Sequence, residues 1–190
     1  MMKRKPPTVL LATTISSFTT PFMGASVNIA LPAIAHDFSL TALSMSWVPS
    51  AFLLAAAIML APMGRLADIY GRKKLFFSGS LIFALSSLLC IWSTTGGVFI
   101  ALRVVQGIGG AMIFSTGTAL LVSAYPHGQR GKILGSNIAA VYLGLTCGPF
   151  IGGLLTEHLG WKTIFLFNAV LGALVILLTV GMDPEERPDA

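Results

Sequence analysis

Acidic and basic side chains stand at helical spacing in the segment 64–74. Asp68 precedes Arg72 by four residues and follows Gly64 by four, so on a helix all three lie on one side. Asp68 can pair with Arg72 or face the N-terminus of a neighbouring helix, and Gly64 lets another backbone come close. The pattern predicts an electrostatic and packing contact between helices. The alternative is a basic loop that contains an incidental aspartate.

A further arginine stands inside a long apolar stretch. Arg103, Gln106, Gly107 and Gly110 follow an i, i+3, i+4, i+7 pattern and therefore share one helix face. A buried cation in lipid costs several kcal/mol, so Arg103 is predicted to face the bundle interior or a wet cavity. The alternative is that Arg103 snorkels to the membrane surface, because it lies only about two turns from the predicted helix end.

Small residues recur at every fourth position of a later stretch. Gly144, Gly148 and Gly152 form a small-x-x-x-small ridge, which predicts that a partner backbone lies against this helix. Pro149 removes a backbone donor and bends the helix. The same close helix contact would serve generic tight packing and a functional gate, so these two interpretations are nearly the same.

The other reactive side chains predict neither catalysis nor metal binding. His36, His127 and His158 are too dispersed for a metal site, and no Ser or Cys has a positioned base. Cys90 and Cys147 lack any metal or disulfide spacing and are interpreted as small apolar fillers. We therefore expect neither an enzyme nor a metal or cofactor site.

These residues are positioned by elements that the composition predicts. The 190 residues are 55% hydrophobic and only 10% charged, with a mean hydropathy of +0.84. Six charge-free stretches of at least 20 residues can each hold a transmembrane helix, because about 20 residues cross the hydrocarbon. The sequence thus predicts an all-α integral membrane protein with spans at about 8–33, 46–64, 75–93, 98–122, 134–156 and 162–181.

The cations predict the orientation of these spans. Ten of the twelve Lys and Arg residues fall on the side of the two termini, against Lys162 alone opposite and Arg103 within a span. Both termini, residues 1–7 and 182–190, are therefore predicted to be cytoplasmic, with outer loops near 34–45, 94–97 and 157–161. The basic residues form short clusters between apolar spans, so nucleic-acid binding is not expected.

The motifs resemble those of the major facilitator superfamily. Gly64, Asp68, Gly71, Arg72 and Lys73 match its G-x-x-x-D-x-x-G-R-K/R signature between helices two and three. The resemblance implies that this loop gates the conformational change. Ile69 stands where the family usually has a basic residue, which weakens the charge network.

Three further motifs follow in the family's order. The segment 102–110 is similar to the R-x-x-Q-G motif, 144–153 to the antiporter motif G-x-x-x-G-P-x-x-G-G, and 28–32 to the N-x-A-L-P ending of helix one in drug:proton antiporters, especially the fourteen-span group. The resemblance implies an amino-terminal six-helix half built from two inverted three-helix repeats.

The resemblance also implies roles for individual residues. Arg103, Gln106 and Asn28 are expected to act in substrate binding or proton coupling, with Gln106 hydrogen-bonded to Arg103. The helix-five ridge, completed by Pro149 and Gly153, is expected to seal one side of the pathway. No cofactor is expected beyond a possible proton gradient as driving force.

One departure concerns the expected proton relay. The related antiporters usually have an aspartate five residues before the Asn, and here that position is Met23. Asp37 and Glu157 lie near the outer ends of spans and Asp68 at the cytoplasmic rim, so no span carries a deep carboxylate. Proton antiport is therefore only a hypothesis for this chain.

The expected function is export of a drug-like or small organic molecule across the plasma membrane, with a second half or a homodimer completing the pathway. In a homodimer, Gly64 and Asp68 of one copy are expected to meet span five of the other, and a complementary six- or eight-helix half is the other possibility. The alternative is a truncated remnant or assembly partner that does not transport. Five aromatic residues are candidates for lining a substrate cavity, although packing is the commoner role: Phe22, Trp47, Tyr142, Phe165 and Phe167.

Overall fold

The computed structural model describes residues 7–182. These residues form six α-helices, each long and apolar enough to cross a membrane. The predicted polar ends 1–7 and 182–190 lie outside the described residues except for Pro7 and Met182. The helices are α1 (Thr8–Asp37), α2 (Ala42–Tyr70), α3 (Arg72–Ile91), α4 (Gly96–Ala124), α5 (His127–Leu159) and α6 (Lys162–Val180).

The helices extend beyond most of the predicted spans, and the loops shrink accordingly. The predicted loop 34–45 is reduced to 38–41, because α1 continues to Asp37 and the Oγ1 of Thr41 caps α2 by accepting a hydrogen bond from the Ser44 amide at 3.2 Å. A charge-free stretch marks where a chain can enter lipid, whereas helical hydrogen bonding continues into the polar boundary. The largest differences are on α5, which begins seven residues before its predicted start, and on α2, which runs six residues past its predicted end.

Packing follows an order different from that of the chain. Helix α4 lies against both α2 and α3, α1 lies against α5 and α6, and α3 also packs on α6. Helices α1, α3 and α4 carry the most buried residues, whereas α2 and α5 each leave one long apolar face exposed. The core therefore sits along α1, α3, α4 and α6.

The even number of crossings brings residues 7 and 182 to the same end of the bundle. We define this end as the terminal face, formed by the helix ends at Thr8, Tyr70, Arg72, Ala124, His127 and Val180. The other end is defined as the opposite face, formed by the helix ends at Asp37, Ala42, Ile91, Gly96, Leu159 and Lys162.

An aromatic cluster closes the opposite face. Phe38, Phe99, Trp161 and Phe165 have ring centroids between 5.4 and 5.7 Å apart. The indole Nε1 of Trp161 donates a hydrogen bond to the carboxylate of Asp37 at 2.7 Å. These contacts join the end of α1, the start of α4 and the α5–α6 turn, so this end of the bundle is tied together.

Candidate functional site

Arg103 is buried between α4 and α2. Its side chain is 1% exposed, its Nε donates a hydrogen bond to the backbone carbonyl of Val48 at 3.2 Å, and its guanidinium lies 4.5 Å from the ring centroid of Phe52. The ring face provides a cation-π contact to the buried guanidinium. Arg103 therefore points into the bundle as predicted, and the snorkelling alternative is wrong.

A hydrogen-bonded chain continues from Arg103 across α4 to α3. Nη1 of Arg103 donates to Oε1 of Gln106, and Nε2 of Gln106 donates to Oγ of Ser87 at 2.7 Å. The Ser87 hydroxyl in turn donates to the carbonyl oxygen of Phe83 at 2.7 Å. Together with the Val48 carbonyl of α2, five side-chain and backbone groups thus connect three helices in one buried network.

No carboxylate compensates the charge of Arg103 within the described residues. His36 lies beside Asp37, and Arg72 pairs with Asp68, and both of these carboxylates are away from this network. The acceptors around Arg103 are neutral oxygens, and Met23 of α1 is fully buried in the apolar core. The bundle interior therefore carries a guanidinium held only by neutral groups, which is a costly arrangement in a membrane.

Glycine in the R-x-x-Q-G segment makes this site possible. A methyl group at Gly107 would overlap the backbone oxygen of Phe52, and a methyl at Gly109 would come within 2.8 Å of the Phe83 amide nitrogen. The absence of side chains at these two positions lets α2 and α3 approach α4 closely. The close approach brings the Val48 carbonyl and the short Ser87 side chain within reach.

Asn28 lies away from the buried Arg103–Gln106–Ser87 network. Its side chain is on an exposed face of α1, beside Ile29, which is 47% exposed, whereas Arg103 and Gln106 are buried among α2, α3 and α4. The structure therefore does not bring Asn28 together with the other two candidates. The transport roles of the three residues stay predictions.

The segment 64–74 forms the end of α2, a tight turn and the start of α3. Nη2 of Arg72 lies 3.3 Å from Oδ1 of Asp68, which is mostly exposed. Among residues 7–182, no atom of another helix lies within 4 Å of the position that a methyl group would take at Gly64. Nζ of Lys73 donates to the carbonyl oxygen of Met182, which ties the start of α3 to the end of α6. Gly64 and Asp68 therefore face away from this bundle and are available to another element.

Gly71 makes the turn itself. Its φ of 96° and ψ of 134° fall in a region that essentially only glycine adopts, and its amide donates to the carbonyl of Ala67 at 3.0 Å. The glycine therefore ends α2 and starts α3 one residue later. In this motif, Gly71 supplies a backbone conformation that other residues rarely adopt. Gly64 leaves the surface of α2 without a side chain at its position.

The α5 ridge is covered by α1 of the same chain. A methyl group at Gly148 would come within 2.6 Å of Cβ of Ala25, and one at Gly152 within 2.6 Å of Cβ of Ser26. A methyl at Gly144 would overlap the backbone oxygen of Phe18, while Oγ of Ser26 donates to the carbonyl of Gly148 at 3.0 Å. The predicted close backbone contact is confirmed, with α1 as the partner.

This packing limits where a second copy could contact α5. Gly148 is buried under α1 of the same chain, so the ridge itself is already covered, and the expected contact of Gly64 and Asp68 of one copy with α5 of another stays a prediction. Pro149 lies on the exposed side of α5, and a methyl at Gly153 would be 3.6 Å from Ile29. A second copy could reach α5 only on the side that carries Pro149.

The aromatic candidates do not line one cavity. Phe22 and Phe165 are fully buried, Phe165 within the cluster at the opposite face, whereas Trp47 and Tyr142 are 46% and 64% exposed. Phe167 packs on Phe22 with ring centroids 5.1 Å apart. Most of these residues therefore serve packing or face the surroundings. Within residues 7–182, no group of His, Cys, Asp and Glu side chains could hold a metal.

Sequence reasoning missed the partners of Arg103 on other helices. Val48 contributes a backbone oxygen, which carries no residue-type signal, and Ser87 is one of several serines on α3. Phe52 is one of many aromatic residues in the spans, and nothing in the sequence indicates that its ring lies against Arg103.

Comparisons with known proteins agree with the motifs. A family model described as Major Facilitator Superfamily matches residues 13–190. The riboflavin transporter RibZ of Clostridioides difficile is 33% identical over 177 residues, which cover 93% of this chain and 39% of that protein. The drug efflux pump JefA of Mycobacterium tuberculosis is 35% identical over 165 residues, which cover 86% of this chain and 32% of that protein. The chain thus spans roughly a third to two fifths of the length of these relatives.

Solved structures show the same fold. A proton:xylose symporter bound to 6-bromo-6-deoxy-D-glucose superposes with a TM-score of 0.81 at 15% identity, covering 91% of this chain and 44% of that one. The inward-open xylose transporter of E. coli superposes with a TM-score of 0.79 at 17% identity, covering 92% and 48%. At these identities the likeness concerns the arrangement of helices alone.

Proposed function

Because this chain belongs to the major facilitator superfamily, we propose that it forms a six-helix unit of a secondary transporter that exports a drug-like or small organic molecule. The family is one of multi-pass membrane transporters and not of enzymes, so the open questions are substrate, coupling and assembly. The observation that carries the proposal is the buried guanidinium of Arg103, held by neutral groups between α2, α3 and α4. An apolar bundle gains no stability from such a charge, which favours a functional role.

Export rather than uptake is favoured by the sequence motifs and by one group of relatives. JefA is named a drug efflux pump, and the N-x-A-L-P and G-x-x-x-G-P-x-x-G-G segments are typical of drug antiporters. RibZ is named a riboflavin transporter, which adds planar aromatic compounds to the substrates worth testing. A proton gradient is the proposed driving force, and a residue outside this bundle would have to supply the proton-binding carboxylate because Met23 cannot.

The proposed location is the plasma membrane with both termini in the cytoplasm. Six of the described cations lie at or near the terminal face, and only Lys162 lies at the opposite face. Cations are retained on the cytoplasmic side during insertion, so this asymmetry supports a cytoplasmic terminal face. The six cations are Arg65, Arg72, Lys73, Lys74, Arg130 and Lys132.

The proposed architecture is two inverted three-helix repeats. Exchanging α1 with α4, α2 with α5 and α3 with α6 leaves the set of helix contacts unchanged: α1 on α5 becomes α4 on α2, and α3 on α4 becomes α6 on α1. The exchanged helices cross the bundle in opposite directions, as an inverted repeat requires. This exchange symmetry supports the arrangement that the motifs imply.

A second unit completes the proposed pathway. Helices α2 and α5 each present a long exposed apolar face, and the open position beside Gly64 lies on the end of α2. A homodimer or a complementary six- or eight-helix unit could cover these faces, with Asp68 and Arg72 at the contact. The superposed symporter is about twice as long as the part that this chain covers, which is consistent with two such units.

The second candidate is a membrane protein of this family that does not transport. The observation that favours it is Met23, which stands fully buried where the related antiporters usually have an aspartate. In this case the Arg103 network would only hold three helices together.

The two candidates differ in an export assay. The chain, alone and together with a candidate second unit, is produced in cells lacking other efflux pumps, and retention of ethidium and of riboflavin is measured. We expect Arg103→Leu to reduce export about tenfold or more, because a charged hydrogen bond is worth about 1.5–3 kcal/mol. Arg103→Lys, which keeps the charge but loses the planar fork, should fall between.

The control variant is Lys132→Gln, which removes an exposed cation of α5 and should leave export unchanged. Export that is equal in the wild type and Arg103→Leu would contradict the proposal. Absence of export by the wild type with every candidate second unit would favour the non-transporting alternative.

A further inference from the structure

We propose that Ser87 is a positioning residue that fixes the orientation of the Gln106 amide and thereby holds the guanidinium of Arg103. The part of this inference that concerns transport rests on the proposed function, whereas the part that concerns the network does not. Ser87 belongs to none of the family motifs found in the sequence. It contacts Gln106 directly, and its link to Arg103 passes only through that amide.

The first step is the direction of the Ser87 hydroxyl. Ser87 is fully buried, and its proton is donated to the carbonyl oxygen of Phe83 at 2.7 Å. A hydroxyl has one proton, so Oγ can offer only its lone pairs to a further partner. Ser87 therefore acts as an acceptor toward α4.

The second step follows for Gln106, which is also fully buried. Its amide has a donating end and an accepting end, and an acceptor at Ser87 selects the NH₂ group for that side. The carbonyl end must then point toward Arg103, where it accepts from Nη1. The reversed amide would place NH₂ against the guanidinium, so two buried donors would face each other.

The third step is the geometry that keeps Ser87 in place. A methyl group at Gly109 would lie 2.9 Å from the backbone oxygen of Gly79, and one at Gly79 would lie 2.6 Å from Cβ of Met112. The backbones of α3 and α4 are therefore nearly in contact along this crossing. Only this close approach lets a side chain as short as serine reach an amide on the next helix.

The test is a set of mutant cycles on the full chain in detergent, read as the midpoint of thermal unfolding. Ser87→Ala and Arg103→Leu are made singly and together, in the wild type and in Gln106→Leu. Ser87 and Arg103 do not touch, so a positioning role predicts that their effects are non-additive in the wild type and additive in Gln106→Leu. Ser87→Thr, which keeps the hydroxyl, should restore most of the lost midpoint.

Ser86 provides a matched control on the same helix. It is also buried, and its hydroxyl donates to the carbonyl oxygens of Ile82 at 2.7 Å and Phe83 at 3.1 Å, which both lie on α3 and not on α4. Ser86→Ala should therefore be additive with Arg103→Leu in every background. Coupling of Ser87 to Arg103 that persists in Gln106→Leu, or equal coupling for Ser86 and Ser87, would overturn the proposal.

A second variant covers the case in which Ser87→Ala does not fold. Gln106→Glu gives Arg103 an acceptor oxygen in either orientation of the side chain, so in this background Ser87→Ala should fold and cost little. A full loss of the folded state there would also overturn the proposal. Export measured on the same variants separates the positioning role of Ser87 from the proposed function of Arg103. If the mutant cycles give the expected coupling but export is unchanged, the positioning role is supported and the proposed function is contradicted.

Discussion

The guanidinium of Arg103 illustrates how little of a buried site can be predicted from the sequence segment that carries it. The spacing of Arg103 and Gln106 predicted a shared inward face, and the cost of a cation in lipid predicted its direction. The acceptor at Val48 is a backbone oxygen on another helix, and Ser87 has the same residue type as its neighbour Ser86. Such partners depend on how helices pack, which the spacing within one helix does not specify.

Asn28 shows the limit of grouping residues by motif at the residue scale. Its place in the N-x-A-L-P segment grouped it with Arg103, yet it lies on an exposed face of α1. A motif specifies the type of a residue and its position along the helix. The neighbours that the residue contacts depend on how that helix is rotated about its axis. The helical surface of α1 that carries Asn28 is available to a second unit.

The backbone of Gly71 gives a prediction at the residue scale. We expect Gly71→Ala to lower the free energy of unfolding by about 1–3 kcal/mol, because its φ of 96° is strained for any residue with a Cβ. The measurement is thermal unfolding in detergent. Gly131→Ala is the control, since it lies in α5 with nothing within 4 Å of the added methyl, and it should be neutral or stabilising. Equal effects of both changes would contradict this account of the turn.

At the scale of elements, the α1–α5 contact depends on the absence of side chains on one face of α5. A ridge of glycines was predictable from the sequence, because glycines four residues apart lie on the same face of one helix. Its partner was not, since any helix with small residues at the crossing would satisfy the same pattern. The structure selects α1, whose Ser26 adds an interhelical hydrogen bond to the Gly148 carbonyl.

The ridge yields a prediction about this helix pair. Gly152→Ala should destabilise the bundle by about 1–3 kcal/mol, because its methyl would lie 2.6 Å from Cβ and 2.8 Å from Cα of Ser26 and would push the helices apart. Gly24→Ala, on α1 with no atom within 4 Å of the added methyl, is the matched control and should not destabilise. Unfolding midpoints compare the two, and a tolerated Gly152→Ala would mean that α1 and α5 are looser than described.

At the scale of the whole molecule, composition predicted the number and approximate position of the helices because the cost of burying charge in lipid is large. Helix ends were predicted less well: α2 continues to Tyr70 and α5 begins at His127, both outside the apolar stretches. Hydrogen bonding within a helix continues in the polar boundary, where hydropathy gives no signal. The packing order of the helices was not predictable from composition either.

The orientation of the molecule leads to a labelling prediction. In a chain with Cys90 and Cys147 replaced by alanine, a cysteine at Lys162 should react with a membrane-impermeant maleimide added to intact cells, because Lys162 is exposed at the opposite face. A cysteine at Lys74, exposed at the terminal face, should react only after the cells are opened. The reverse pattern would place both termini outside.

The partnership of α1 with α5 also has a consequence for synthesis. Helix α1 is made before α5, and the surface of α1 that packs on the α5 glycines can be covered only when α5 is complete, roughly 120 residues later. At typical rates of about 5–20 residues per second, α1 spends about 6–24 seconds in the membrane with that surface uncovered. During this interval lipid or an insertion factor must occupy the place of α5, so translation speed between residues 38 and 159 sets how long the nascent chain is exposed to mispairing.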